Sequence, residues 1–206
     1  MTKIRSQEQL LDAAAKVFGE KGYDAARLED IAAEVGVLQG SLYYHIGSKA
    51  SLYRLVRRRR FLEIAARIED ISRSSATTEE KLRTAIAAHL DYLQRHLPEA
   101  RSWMTNPSES RRTRTEGEAA EDRRMTADLR ASWRRIIDGG IRSGEIRDDV
   151  VASVAVLSIQ GMMMWVANWY SPGGGQTIDE IAEQQADLVW RGLAASRGRR
   201  SVIDHR

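Results

Sequence analysis

Seven polar or aromatic side chains crowd into positions 39 to 49: Gln39, Ser41, Tyr43, Tyr44, His45, Ser48 and Lys49, with Gly40 among them. Displayed from one short helix, groups of this kind suit the edges of nucleic-acid bases. A Gln amide can bond adenine at two points, and a Ser hydroxyl can serve either base type. Tyr43 can donate to a phosphate oxygen. Lys49 falls in the first turn of the following helix, where the helix dipole disfavours a cation; it makes sense there if a phosphate sits above it. The alternative for Tyr43 and Tyr44 is a buried aromatic pair.

A second set, His89, Tyr92 and His96, shares one face of a later helix and can supply polar contacts to a bound molecule. It does not make a metal site. His89 and His96 stand two turns apart, with no third ligand between them. The chain has no Cys, which excludes disulfides, thiolate zinc sites and a cysteine nucleophile. No Gly-rich phosphate loop and no nucleophile motif occur, and the acids are scattered over charged faces. No catalytic residue, no metal, no cofactor and no enzymatic activity are therefore expected.

The first set is positioned by Ala32, Gly36 and Leu42, spaced four and then six apart. A helix-turn-helix needs this arrangement: a small residue at the close helix crossing, a Gly in the turn, and an apolar anchor on the second helix. An ordinary corner between two core helices would use the same spacing. If Leu42 faces inward, Gln39, Ser41, Tyr44 and His45 face outward.

Helical periodicity continues along all 206 residues. Leu10, Ala14, Val17 and Phe18 mark a first helix, opened by a Ser6/Gln9 capping box and ended by Gly22. Leu28, Ile31, Ala32 and Val35 mark a second, and 39–45 a very short third. Ser48 caps a longer helix through Leu52, Leu55, Val56 and Leu62. Leu82 to Leu97 form a stripe stopped by Pro98, with a short helix over 99–105 and an Arg-rich loop over 107–117. Met125 to Ile141 form a long helix. Asp148 and Asp149 precede an apolar helix from Val150 to Tyr170, and a last helix follows Thr177. The predicted fold is all-α, with about nine helices: a three-helix DNA-reading domain over 1–48 and a larger helical body over 49–206. Only three Pro, two Phe and few β-branched runs argue against a sandwich or barrel.

Net charge is +3, unevenly spread. Residues 1–60 hold 11 basic and 7 acidic side chains, against 21 and 22 in the rest of the chain. A basic end on a near-neutral body suits a polyanion partner. The first 20 residues lack the apolar run of a secretory signal. Val150 to Tyr170 is long enough to span a bilayer, but it carries Ser153, Ser158, Gln160 and Asn168 and lacks a flanking basic cluster. A helix buried between protein layers is the simpler reading. No membrane partner is expected, and the location expected is cytoplasmic.

The segment Gly22 to Leu52, with Asp30-Ile31-Ala32, Gly36-Val37, Gly40-Ser41-Leu42-Tyr43-Tyr44-His45 and Ser48-Lys49, resembles the DNA-binding domain of the TetR (tetracycline-repressor) family. The resemblance implies a homodimer that places two recognition helices on a palindromic DNA duplex. It also implies a small effector, bound in the C-terminal body, that alters their spacing. Some positions depart from the family pattern. Arg27 stands where a Thr is usual, Leu38 where a Ser or Thr opens the recognition helix, Ile46 where an aromatic ends it, and Ala50 where a Glu follows the Lys. Arg27 is read as a phosphate contact in exchange for the lost cap. The DNA-facing set is then Arg27, Gln39, Gly40, Ser41, Tyr43, Tyr44, His45 and Lys49.

The body must supply a dimer surface and a hydrophobic pocket. The Val150–Tyr170 and Ile178–Ala195 helices, doubled by a two-fold axis, make a four-helix bundle. Met162-Met163-Met164, beside Trp165, Trp169 and Tyr170, suits a tolerant apolar site as well as plain packing. The pocket candidates are His89, Tyr92, His96, Trp103, Met125, Leu129, Trp133, Gln160, Met164 and Trp165, with Met104 nearby in sequence. Trp169-Tyr170-Ser171-Pro172-Gly173-Gly174 resembles a stretch of TetR-family members that sense acyl-CoA thioesters, so the expected effector is a hydrophobic small molecule such as an acyl-CoA. The function expected is a ligand-responsive repressor. The competing reading is a helical interaction protein that has lost specific DNA binding, which Arg27 and Leu38 would explain.

Overall fold

The computed structural model describes residues 7–38, 40, 42, 46–98, 100–101 and 115–195. Every regular element among them is a helix: α1 (Gln7–Ala25), α2 (Leu28–Val35), α3 (Lys49–Arg73), α4 (Thr78–Arg95), α5 (Glu116–Ser143), α6 (Ala152–Trp169) and α7 (Ile178–Leu193). The described residues thus hold seven helices, where periodicity predicts about nine. The two short helices expected over 39–45 and 99–105 fall largely on residues outside the described set. Gly40, Leu42 and Ile46 are nevertheless helical, as are residues 100 and 101. Backbone pairing outside helices includes one isolated bridge, Ile146 to Ala194.

The chain divides into two compact units, Met1–Ala66 with Tyr92–Met125 and Arg67–Asp91 with Thr126–Arg206. The core of the first is Leu10, Ala14, Val17, Phe18, Ala26, Leu28, Ile31, Leu42, Ile46, Leu52 and Val56. The first two turns of α3 therefore help to close it. Gly22 does more than end α1. It sits at φ 75 with ψ 168, a kink inside the α1 span that glycine tolerates, and the Ala26 N–H returns to its carbonyl at 3.2 Å. Arg59 pairs with Asp12, and Arg60 donates to the Ala15 carbonyl at 3.0 Å, tying α3 to α1.

In the second unit the largest buried side chains include Trp133, Ile68, Leu82, Ile86, Leu90, Ile137, Ile146 and Met163. A turn after α5 stitches helix ends together. Glu145 accepts from the Thr78 N–H at 3.0 Å and from its hydroxyl at 2.8 Å, while the Ala195 N–H donates to the Glu145 carbonyl at 2.9 Å. Gly140 makes this possible, because a Cβ there would lie 2.6 Å from Thr78 Cγ2 and 2.8 Å from Ile146.

Three helices open on the same reciprocal cap, Thr-x-x-Glu at 77–80, 115–118 and 177–180. The cap at 115–118 starts α5 at Glu116, so the loop expected through residue 117 ends earlier and the helix expected from Met125 begins some nine residues sooner. Asp148 and Asp149 do not cap α6. Its N-cap is Val151, which makes no side-chain cap, and Asp149 pairs with Arg147 at 3.2 Å instead.

Glu69 holds α3 to α5 within the second unit. It accepts from Ser132, from Arg135 at 2.7 Å and from Arg73, and Arg135 also donates to Ser72 at 2.7 Å. The bonds from Ser132, Arg135 and Arg73, in that order, lower the Glu69 pKa to about 2. A carboxyl depressed on folding stabilises the protein above its unfolded pKa, and that stability is lost as pH falls towards the folded value. The melting temperature is accordingly expected to fall from about pH 4.5 towards pH 2. The Glu69→Gln protein should follow a flatter curve over that window. Parallel curves for the two proteins would remove Glu69 from the acid response.

Candidate functional site

The turn between α2 and the helical residues Gly40, Leu42 and Ile46 follows from one glycine. Gly36 takes the left-handed conformation at φ 77 and ψ 34, its N–H bonds the Ala33 carbonyl at 3.2 Å, and the Val37 N–H bonds that of Ala32 at 2.9 Å. This pair of bonds is the Schellman closure of a helix end. The chain then turns back, so that Leu42 is fully buried and Leu38 is 61% exposed. The inward anchor predicted from spacing is in place, and Gly40 is exposed. Gln39, Ser41, Tyr43, Tyr44 and His45 lie outside the described residues.

Arg27 is exposed at the N-cap of α2. It has no acceptor to offer the helix, so the cap is carried from the other side: Asp30 accepts the Arg27 N–H at 3.1 Å. Asp30 also pairs with Lys21 at 2.8 Å, and the bonds from Lys21 and then Arg27 hold its carboxyl below the usual range. The Asp30 N–H, from which a Thr side chain would accept, donates instead to the Arg27 carbonyl at 3.2 Å.

Lys49 has a duty that its position in the sequence does not reveal. Its ammonium donates to the Asp24 carbonyl at 3.1 Å and lies 4.5 Å over the Tyr23 ring. Tyr23, Phe18 and Tyr53 form one aromatic group, with Tyr23 and Tyr53 centroids 4.7 Å apart. Ser48 acts as the expected cap, accepting the Ser51 N–H at 3.1 Å. Further along α3, Arg54 donates to Glu118 at 3.1 Å and Arg58 pairs with Glu121, so the start of α5 is bound to α3 within the first unit.

The pocket candidates separate into groups. His89 and Trp133, both buried in the second unit, meet edge to face with centroids 6.4 Å apart. Leu129 is buried one turn before Trp133. Tyr92 and His96 are half-buried in the first unit and also meet edge to face, at 4.7 Å. Met125 is half-buried there too. On α6, Gln160 and Met164 are half-buried, whereas Trp165 is 62% exposed. Trp103 lies outside the described residues, with Met104.

Trp165 belongs to a stripe. Val151, Val154, Leu157, Trp165 and Trp169 are all exposed, with Gly161 open between Leu157 and Trp165. The steps of three and four place them on one face of α6. Leu188 of α7 is exposed as well. The opposite face, with Val156, Ile159, Met163 and Val166, is buried. A face this rich in exposed apolar side chains, with Ser158 and Asn168 interspersed, is of the kind that marks an interaction surface. Among the described residues no helix is long and apolar enough to cross a membrane.

Comparison with known proteins accounts for both ends of the chain. Residues 10–56 match the profile described as bacterial regulatory proteins, tetR family, and residues 75–193 match the tetracyclin repressor-like C-terminal domain. The chain is 28% identical to the HTH-type transcriptional repressor KstR2 of Rhodococcus jostii, over 94% of this chain and 93% of that protein. It is 27% identical to the fatty acid metabolism regulator protein of Bacillus subtilis, over 78% and 83%. The structure of the ketosteroid transcriptional regulator KstR2 of Mycobacterium tuberculosis superposes with a TM-score of 0.71 at 25% identity, covering 94% of this chain and 99% of that one.

Proposed function

The chain belongs to the TetR family of bacterial regulatory proteins, and on that premise we propose that it is a homodimeric transcriptional repressor released from a palindromic operator by a hydrophobic small molecule. The observation that carries this reading is the turn at Gly36, after which Leu42 and Ile46 pack into a closed core. Residues 1–48 read DNA, with Leu52 and Val56 of α3 completing their core, and residues 49–206 bind the effector and form the dimer. Gln39, Ser41, Tyr44 and His45 read base edges, Gly40 lets the backbone approach, and Arg27, Tyr43 and Lys49 hold phosphates. Two recognition segments then enter major grooves about 34–36 Å apart, or a multiple of that. The exposed stripe of α6, with Leu188 of α7, supports the dimer. A protein of this role works in the cytoplasm and needs no catalytic residue.

Effector binding lowers DNA affinity only as far as the effector prefers the state with wrongly spaced recognition segments. The names of the relatives direct the search for that effector towards ketosteroids and fatty acids, and the resemblance of residues 169–174 adds acyl-CoA thioesters.

Fluorescence anisotropy on DNA from upstream of its own gene, across a salt series, tests the reading. Tight, salt-steep binding with preference over scrambled DNA is expected. Failure there and in selection from random DNA would favour a helical interaction protein instead. Lys49→Ala is expected to weaken binding on all sequences alike and to reduce the salt slope by about one. Because Lys49 also holds the Asp24 carbonyl, its melting curve is measured alongside. Loss confined to the cognate site would contradict the phosphate role.

A further inference from the structure

Among the described residues of the second unit, the buried side-chain atoms without a hydrogen-bond partner are His89 Nδ1, Trp133 Nε1 and Gln185 Oε1, and the first two sit on rings that meet. His89 is 8% exposed and Trp133 is fully buried, and their rings meet edge to face. Burying one such atom unpaired costs about 1–3 kcal/mol. Two on touching side chains call for a common explanation. Buried apolar residues lie one turn away on the same helices, Ile86 by His89 and Leu129 and Ile137 by Trp133, along with half-buried Tyr92 and exposed Arg130. The pair is thus a buried polar spot with apolar side chains one turn away on each helix.

We propose that His89 and Trp133 are the polar anchor of the effector site and take one uncharged oxygen, a carbonyl or a hydroxyl, of an otherwise apolar molecule. This rests on the effector-responsive reading above and specifies its ligand chemistry. The indole N–H can only donate, so the ligand atom must accept. Burial alone pushes the His89 pKa down to about 4, so the ring is neutral near pH 7 and offers a carboxylate no charge. With its proton on Nδ1, the pair supplies two donors and fits the two lone pairs of a carbonyl. With the proton on Nε2, it supplies one donor and one acceptor and fits a hydroxyl. A ketone, an ester or thioester carbonyl, or an alcohol meets the demand, and a free carboxylate does not.

The test uses the full 15N-labelled chain and four six-carbon probes: hexane, 2-hexanone, 2-hexanol and hexanoate. The Trp133 indole N–H resonance is identified by its absence in Trp133→Phe. The ketone or the alcohol is expected to move that resonance downfield, and which of the two moves it more reports the His89 tautomer. Hexane should leave it in place, and hexanoate should act more weakly. In isothermal titration, Trp133→Phe and His89→Phe should each weaken the favoured probe about tenfold, the worth of one hydrogen bond, and leave hexane unchanged. An unmoved resonance with both oxygenated probes would overturn the proposal, leaving the pair as a site for structural water only. An equal shift by hexane, or a larger one by hexanoate, would overturn it too. The wild-type titration needs no variant to fold. Operator anisotropy on the same sample separates the two readings: intact operator binding with a silent resonance sinks the anchor alone, and absent operator binding sinks the regulator.

Discussion

The Leu157→Asp, Trp165→Asp double variant is expected to sediment as a monomer and to lose at least about a hundredfold in operator affinity. Both side chains are more than half exposed in the single chain, at 53% and 62%, so the protomer has little packing to lose at them. Surface changes of this kind typically alter stability by no more than about 0.5 kcal/mol. In a dimer formed through α6 the same positions lie at the seam, where two carboxylates with no cation opposite would have to be desolvated. Gly161 sits between them with open space above its Cα, which lets a partner helix approach closely. Coupling two half-site contacts through one dimer multiplies affinity by about 10² to 10⁴, and that factor is what a monomer forfeits. Sedimentation velocity and anisotropy read the two effects separately. A double variant that remains dimeric would move the interface off this stripe.

Leu42→Ala is expected to have the largest effect on stability, and Leu38→Ala, four positions away, almost none. Leu42 is fully buried in a core shared with Phe18, Ile31 and Leu52. Truncating such a leucine typically costs about 2–5 kcal/mol, because the cavity closes only in part. That is a large share of the total stability of a small domain. The melting transition should fall by many degrees, and specific DNA binding should disappear with it. Leu38, at 61% exposure, has little packing to lose. Equal destabilisation by the two variants would mean that the segment packs with a different register.

These two leucines show how far a sequence reading reaches. The spacing of Ala32, Gly36 and Leu42 is enough to predict a turn and an inward anchor, and Gly36 does take the positive φ that the turn requires. Leu38 reads in sequence as a lost cap, and its exposure is a property of the turned chain. Likewise the Thr177 cap is local and legible, whereas α5 begins inside a charged run with no apolar rhythm. There the informative signal was the pair Thr115 and Glu118, three residues apart. Asp148 and Asp149 looked like caps by type, but the chain enters α6 two residues later at Val151.

By itself the sequence determined what depends on near neighbours and on composition. This includes the helical class, the Gly36 turn, the inward Leu42, the basic N-terminal end and the absence of cysteine chemistry. Tertiary structure alone decided what depends on residues far apart in the chain. It engaged Lys49 with the Asp24 carbonyl and the Tyr23 ring, 25 and 26 residues upstream. It placed His89 and Trp133 together in one unit while Tyr92, on the same helix as His89, and His96, in the turn just beyond that helix, went to the other. It also turned one face of a largely apolar α6 into the core and left the other bare. Periodicity encodes which residues share a face. Which face meets which neighbour is set only when distant helices compete to bury their apolar surface.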